Sequence, residues 1–165
     1  MAANVRFINP NTLAPQSGYS YVVDTTGPGR TVYIAGQLGL DMENKLVGAP
    51  GDFRAQCTKA IENLEAALAS VGAKLSDVVK ITNYLTDISS QIGVYREIRD
   101  QFFPMPRPAS TAVGISQLAR PGALFEIEAI AVLPPAKAAS AARRPVKARS
   151  AVRTAKPKAS RRKRK

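Results

Sequence analysis

The sequence predicts an α+β domain followed by a strongly basic tail. Stretches rich in β-branched and aromatic residues alternate with two segments of helical periodicity, which predicts strands and helices in one domain. The tail differs from the rest of the chain in its charge, because residues 134–165 hold 13 of the 24 Lys and Arg and none of the 12 Asp and Glu. Residues 1–133 therefore have a formal charge of 11 − 12 = −1. We predict one domain at residues 1–133 and a disordered basic tail at residues 134–165.

The first strands are predicted from three short segments. Val5–Ile8 is predicted as a short first strand, which ends at Asn9-Pro10. Tyr19–Val23 and Thr31–Ala35 are rich in aromatic and β-branched residues, and a Gly-Pro-Gly turn lies between them. This arrangement predicts two antiparallel strands joined by the turn.

From Asp52 onward the periodicity becomes helical. Asp52 is predicted as the N-cap of a first helix, and Gly72 as its C-terminal stop. A second helix is predicted to start at a cap formed by Ser89 or Ser90 and to end before the proline-rich segment 104–108. One face of this second helix consists of Ile92, Tyr95, Ile98, Arg99 and Phe102.

Three further strands are predicted at residues 77–86, 110–116 and 124–133. In the last strand Glu126 and Glu128 alternate with apolar residues, so both should face away from the core. The order of elements predicts a largely antiparallel sheet with both helices on one face. The other face is too apolar to be left exposed, which favours burial in an oligomer.

Composition excludes several classes of site. The chain has no histidine, which excludes His-based acid–base catalysis and His-ligated metal sites. Cys57 is the single cysteine, lies on the apolar stripe of the first helix and is predicted to be an inert core thiol in a reducing cytoplasm. We predict no metal, no cofactor and no membrane insertion, because no apolar run is long enough to span a bilayer.

Nine short motifs occur in order along the chain. They are Tyr33–Gln37, Leu46–Gly48, Gly51–Phe53, Glu62–Leu64, Asp77–Lys80, Tyr84–Asp87, Phe102–Pro104, Arg107–Ala109 and Glu126–Ala131. These motifs resemble those of the Rid family, the reactive-intermediate (enamine/imine) deaminases also called YjgF-type proteins, and the resemblance covers the chain from about Asn9 to Leu133. It implies a chorismate-mutase-like α+β fold assembled as a homotrimer, with a small-molecule ligand in each cleft between subunits.

The resemblance also implies an activity and a set of site residues. Active members hydrolyse 2-imino or enamine acids to 2-oxo acids and ammonia without a cofactor. By position, Glu126 is implied as the catalytic residue that orients the attacking water. Tyr19, Gly36 and Gln37 are implied as substrate-binding residues.

This chain departs from the family pattern at position 110. The arginine that binds the substrate carboxylate follows the Pro-Ala pair in the family, and Ser110 stands there, predicted as a substrate-binding wall of the pocket. A serine hydroxyl lacks the planar fork of a guanidinium, and losing one partner of a buried charge pair typically costs about 2–5 kcal/mol. We therefore predict that activity on 2-imino acids is low or absent, and that Ser110→Arg should raise it.

Two function classes stay open from the sequence. One is a deaminase handicapped by Ser110. The other is a non-catalytic ligand-binding or scaffold protein that its tail tethers to nucleic acid. Position 110 is the feature that separates them, because an arginine there would favour the enzyme.

The tail predicts non-specific binding of DNA or RNA. It has no aromatic residue to stack on bases, so its chemistry is limited to neutralising phosphates and releasing counterions. The alternatives are a solubility tail and a loose anchor to anionic lipid. The lone Cys57 predicts a cytoplasmic protein, and binding of the tail to nucleic acid would associate it with the nucleoid. The residues assigned to this contact are Arg143, Arg144, Lys147, Arg149, Arg153, Lys156, Lys158, Arg161, Arg162, Lys163, Arg164 and Lys165.

Overall fold

A computed structural model describes residues 4–13 and 18–135 of the chain. A single turn of 3-10 helix at 75–77 precedes the fourth strand. In chain order the elements are β1 (Asn4–Ile8), β2 (Val22–Thr26), β3 (Arg30–Leu38), α1 (Phe53–Ala69), β4 (Val78–Leu85), α2 (Ile88–Phe102), β5 (Ala109–Gly114) and β6 (Phe125–Leu133).

The main sheet has four strands in the order β3-β6-β4-β5. β6 is antiparallel to both of its neighbours, whereas β4 and β5 run parallel and are connected through α2. β1 and β2 form a separate antiparallel pair. The predicted α+β class, with two helices and a mostly antiparallel sheet, is confirmed.

The predicted hairpin between the second and third strands is wrong. β2 spans 22–26 rather than 19–23 and pairs with β1, where Arg6 faces Asp24 and the two side chains form an ion pair. β3 pairs instead with β6, from Arg30 opposite Leu133 to Leu38 opposite Glu126. β6 is a nine-residue strand with a buried residue at every second position, so it offers β3 a longer and more apolar partner.

Both helices begin at aspartate caps. Asp52 accepts a hydrogen bond from the Ala55 N–H at 2.9 Å, which confirms the predicted N-cap of α1. The predicted serine cap of α2 is wrong by two or three residues, because Asp87 is the N-cap and accepts a hydrogen bond from the Ser90 N–H. A carboxylate at this position satisfies backbone donors that would otherwise lack a partner.

The core lies between the helices and one face of the sheet. It contains Cys57, which is fully buried, and burial raises the pKa of its thiol to about 12, as an unreactive core cysteine requires. The residues of β6 that alternate with the core positions lie on the opposite, outer face, and Glu126 and Glu128 are among them, as predicted. Tyr33 on β3 is 77% exposed. Within residues 4–13 and 18–135, no helix is long and apolar enough to cross a membrane.

Candidate functional site

The structure brings Gly36 and Glu126 into direct contact. Ile34 pairs with Ala129 and Gln37 with Ile127, so β3 contains a bulge that places two residues opposite one of β6. A Cβ atom on Gly36 would overlap the Glu126 carboxylate, so glycine leaves the space that this carboxylate occupies. Gln37 completes the bulge, because its side-chain N–H donates to the Ala35 carbonyl at 3.1 Å.

Glu126 is electrostatically suited to accept a proton. Partial burial raises the pKa of its carboxyl group, and the negative charge of Glu128 raises it further. The Tyr84 hydroxyl donates to Glu128 at 3.5 Å, which holds the second carboxylate beside the first. A carboxyl group with a raised pKa is a better base and a more available acid than an ordinary glutamate near neutral pH.

A groove of about 600 Å³ lies on the outer sheet face next to this pair of carboxylates. Lys80 lines it and donates to the Thr111 hydroxyl at 2.6 Å and to the Ile81 carbonyl at 3.1 Å. Burial lowers the pKa of Lys80, and Glu128 opposes that shift. The groove belongs to the face that the sequence predicts to be covered in an oligomer.

Ser110 lies at the start of β5 and faces the helices. Its register partner on β4 is Ile81, which is buried. The side-chain N–H of Asn83 donates to the Ser110 hydroxyl at 3.2 Å and to the Thr111 carbonyl at 2.9 Å. Position 110 is therefore half-buried in a polar environment on the face of the sheet that the helices cover.

Tyr19 belongs to a segment that is held against the residues just before β5. The next residue fixes its position, because the Ser20 N–H donates to the Pro108 carbonyl at 3.2 Å and the Ser20 hydroxyl donates to the Arg107 carbonyl at 2.8 Å. The Tyr19 ring also packs edge-on against Tyr21, with ring centroids 5.5 Å apart.

The predicted site residues thus form two sets that do not meet in one protomer. Ser110 on β5 pairs with Ile81 on β4, and Ile81 pairs with Ala129 on β6. Ser110 is therefore two strands away from β6, at the level of Ala129, which is three residues from Glu126 along that strand. At about 4.8 Å per strand and 3.3 Å per residue, the separation is roughly 14 Å. The two side chains also point to opposite faces, so a small molecule cannot contact both sets within one copy of the chain.

Some predicted residues lie outside the described part of the chain. All twelve assigned to nucleic-acid contact, from Arg143 to Lys165, are among them. Across residues 4–13 and 18–135, no group of three or more His, Cys, Asp or Glu side chains is arranged to hold a metal ion.

Residues that sequence analysis did not assign also lie at the site. Glu128 and Lys80 flank the Gly36–Glu126 contact, and Arg99 lies beneath the segment that contains Tyr19. The signal for Arg99 was available, because its spacing placed a charged residue on the apolar face of α2.

The chain is a small α+β protein with a carboxylate over a bulge glycine, and comparison with known proteins identifies its family. A family model described as Endoribonuclease L-PSP matches residues 10–133. The chain belongs to this family, whose members are also called Rid proteins.

Individual relatives agree with this assignment. A RutC family protein of Pyrococcus abyssi is 38% identical over 103 residues, which cover 62% of this chain and 79% of the relative. A 2-iminobutanoate/2-iminopropanoate deaminase of Dermatophagoides farinae is 35% identical over 124 residues, covering 73% and 91%. The crystal structure of a Rid family protein from Yersinia pestis aligns with a TM-score of 0.71 at 33% identity, covering 79% and 98%.

Proposed function

We propose that this chain is an enamine/imine deaminase that hydrolyses a small 2-imino acid to a 2-oxo acid and ammonia. The observation that supports it best is the Glu126 carboxyl group, which lies over Gly36 and has a raised pKa. The deaminase name of a relative that covers 73% of this chain supports the same reaction.

The proposed chemistry uses Glu126 twice. A water molecule adds its oxygen to the carbon of the protonated imine while the Glu126 carboxylate takes a proton from that water. Glu126 then returns the proton to the amine nitrogen of the tetrahedral intermediate. The C–N bond breaks, ammonia leaves, and the hydroxyl group becomes the carbonyl of the product as it loses its proton to solvent. This is general acid–base catalysis by one carboxyl group.

We propose further that the site forms between copies of the chain in a homotrimer. Tyr19 and Ser110 of one copy would face Gly36, Gln37 and Glu126 of the next across an intersubunit cleft. Two observations support this arrangement: the two sets are roughly 14 Å apart in one protomer, and the outer sheet face exposes Tyr33 and an open groove.

The full chain is therefore expected to be a trimer in solution. Burying the outer sheet face removes exposed apolar surface and completes the site, so assembly should persist at micromolar concentration. Light scattering or analytical ultracentrifugation measures the mass directly. A stable monomer at that concentration would contradict the shared site.

Gly36→Ala tests whether the reaction depends on the position of the Glu126 carboxylate. The added methyl group would push the Glu126 carboxylate aside, and a misplacement of about 1 Å at a reacting group can lower a rate by about 100-fold. We expect wild-type protein to accelerate ammonia release from freshly generated 2-iminobutanoate, and the variant to lose most of that acceleration.

Gly93→Ala is the matched control for this substitution. It makes the same change on α2, where a Cβ atom would meet no neighbouring atom within 4 Å, so activity should be unchanged. No acceleration by wild-type protein, or equal activity of both variants, would count against the deaminase proposal.

A second candidate function is a non-catalytic ligand-binding or scaffold protein tethered to nucleic acid. The observation that favours it is the tail, with 13 basic and no acidic residues, together with Ser110 in place of the family arginine. Binding of a 2-oxo acid without release of ammonia from any imine would select this candidate.

A further inference from the structure

Arg99 is a buried arginine that contacts the backbone next to Tyr19 and packs near Tyr95, which lies between it and Ser110. We propose that its guanidinium binds the carboxylate of the substrate, and so fills the role for which position 110 has no cation. This inference rests on the deaminase function proposed above and assigns the residue that selects an acid as its substrate.

The environment of Arg99 is polar on one side and aromatic on the other. Its side chain is 8% exposed, and its Nε and Nη2 atoms donate to one Asp100 carboxylate oxygen at 2.9 and 2.7 Å. The guanidinium carbon lies 5.8 Å from the centre of the Tyr95 ring. The bonds to Asp100 use two of the five N–H donors of the guanidinium, so a second carboxylate can bind without displacing the first.

The Tyr19 segment lies directly against this guanidinium. A Cβ atom on Gly18 would overlap the Arg99 Nη2 atom, so the backbone one residue before Tyr19 touches the charged group. On its other side Ser20 is hydrogen-bonded to the Arg107 and Pro108 carbonyls. The segment therefore runs from Arg99 to the start of β5.

Tyr95 links Arg99 to Ser110. Burial raises the pKa of the Tyr95 hydroxyl well above its usual value, and the nearby Arg99 and Ser110 side chains act in the opposite direction, although this hydroxyl makes no hydrogen bond within the described residues. Both residues therefore lie close enough to Tyr95 to act on one hydroxyl group. Arg99 thus places a cation one side chain away from position 110.

The cluster around Arg99 has an excess positive charge. Arg107, whose side chain is 15% exposed, also pairs with the Asp100 oxygen, at 3.2 Å. In the part of the chain that the structure describes, these two arginines share the one carboxylate, which leaves a net charge of +1. Holding an uncompensated charge away from water is unfavourable, and a bound monocarboxylate would neutralise it.

Arg96 provides a contrast on the same helix. It is exposed, whereas Arg99, three residues later, is buried. The charge of Arg96 therefore faces solvent, where a single ion pair contributes little. Arg99→Gln and Arg96→Gln remove the same charge, but only Arg99 belongs to the proposed carboxylate site, so Arg96→Gln is the matched control.

The test compares binding of 2-oxobutanoate, a stable reaction product, with binding of its uncharged carboxamide. Calorimetry on the full chain at about 0.15 M salt limits non-specific attraction of anions to the tail. Wild-type protein should prefer the acid by about 30-fold or more, the factor expected for a buried charge pair. Arg99→Gln should abolish this preference by weakening acid binding alone, and Arg96→Gln should retain it.

A rescue variant separates the binding role from a structural role. In the Arg99→Gln background, Ser110→Arg should restore preference for the acid, because it returns a guanidinium to the same pocket. Ser110→Arg alone should then add little, in contrast to the increase predicted from the sequence. An acid preference that persists in Arg99→Gln would overturn the proposal.

A conservative variant and a comparison with ammonia release complete the test. If Arg99→Gln does not fold, Arg99→Lys replaces it: a reduced preference for the acid supports the proposal, and an unchanged preference overturns it. Acid binding that depends on Arg99 without ammonia release would refute the deaminase function and leave this inference intact. Ammonia release that is independent of Arg99 would support the deaminase function and refute the role of Arg99. A wild-type protein that neither prefers the acid nor releases ammonia would refute both proposals.

Discussion

Glu126→Gln is expected to lower the rate of imine hydrolysis by about 100- to 10,000-fold, the usual contribution of one general acid–base group. Glutamine keeps the size and hydrogen-bonding reach of the side chain over Gly36 but can neither take a proton from water nor return one. The measurement is the initial rate of ammonia release. Binding of 2-oxobutanoate should change little, because the product carboxylate is held elsewhere in the cleft.

The same substitution should make the fold more stable near neutral pH. Burial and the charge of Glu128 raise the pKa of Glu126 in the folded chain above its unfolded value. Such a group stabilises the fold below its unfolded pKa, and this contribution is lost as the pH rises through the folded pKa. Glutamine mimics the protonated form at every pH, so the variant should unfold at a higher temperature near pH 7, and the difference should vanish in acid.

Glu128→Gln is the control for position 126. It removes one carboxylate from the same face of β6, two residues away, and with it a charge that raises the pKa of Glu126. Activity near pH 7 should be kept, and the acid limb of the pH–rate profile should move to lower pH. Equal loss of activity in both variants, or none in Glu126→Gln, would remove Glu126 from the mechanism.

The helices could be predicted because local patterns decide them. Asp52 precedes a run with apolar residues at helical spacing, and its side chain accepts from the N–H of Ala55, the third residue of α1, as an N-cap should. The sequence predicts a serine cap for α2 because Asp87 and the serines form one polar cluster, and only the geometry shows that Asp87 accepts from Ser90. Residue spacing does not resolve which of several neighbouring caps is used.

Strand pairing could not be predicted from neighbouring segments. The Gly-Pro-Gly turn suggested a local hairpin, but β2 pairs with β1 and β3 pairs with β6, which lies almost a hundred residues later. Long-range pairing depends on which strand offers the best matched apolar face, and that is a property of the whole fold. The alternation in β6, by contrast, correctly predicted the face on which Glu126 lies.

The site was predictable where it follows from backbone geometry and less so where side chains converge from distant elements. Gly36 and Glu126 were each assigned by position, and the bulge in β3 brings them into contact. Arg99 was placed on the buried face of α2 by its spacing, yet its role requires knowing that Gly18 and Asp100 meet it. A charged residue on an apolar helical face is a signal that such a partner exists.

Removing the chain after Leu133 is expected to abolish binding to nucleic acid. The remaining residues have a formal charge of −1, whereas the removed segment has 13 positive charges and no negative ones. Full-length protein should bind duplexes of unrelated sequence equally, with a log–log salt slope of about −0.9 per phosphate neutralised. With about 6–10 phosphate contacts, affinity should fall by about 10³- to 10⁵-fold between 50 and 200 mM salt.

Assembly should strengthen this binding, which gives the tail prediction a second test. In a trimer, three tails bring 3 × 13 = 39 charges close together, so the second and third bind at high effective concentration. A control with all 13 tail Lys and Arg replaced by Gln keeps the chain length and should bind no better than the truncated form. Both variants should retain wild-type ammonia release, because the tail follows β6 and the proposed site lies before it. Salt-insensitive binding, or retention of binding by either variant, would show that the domain itself contacts the nucleic acid.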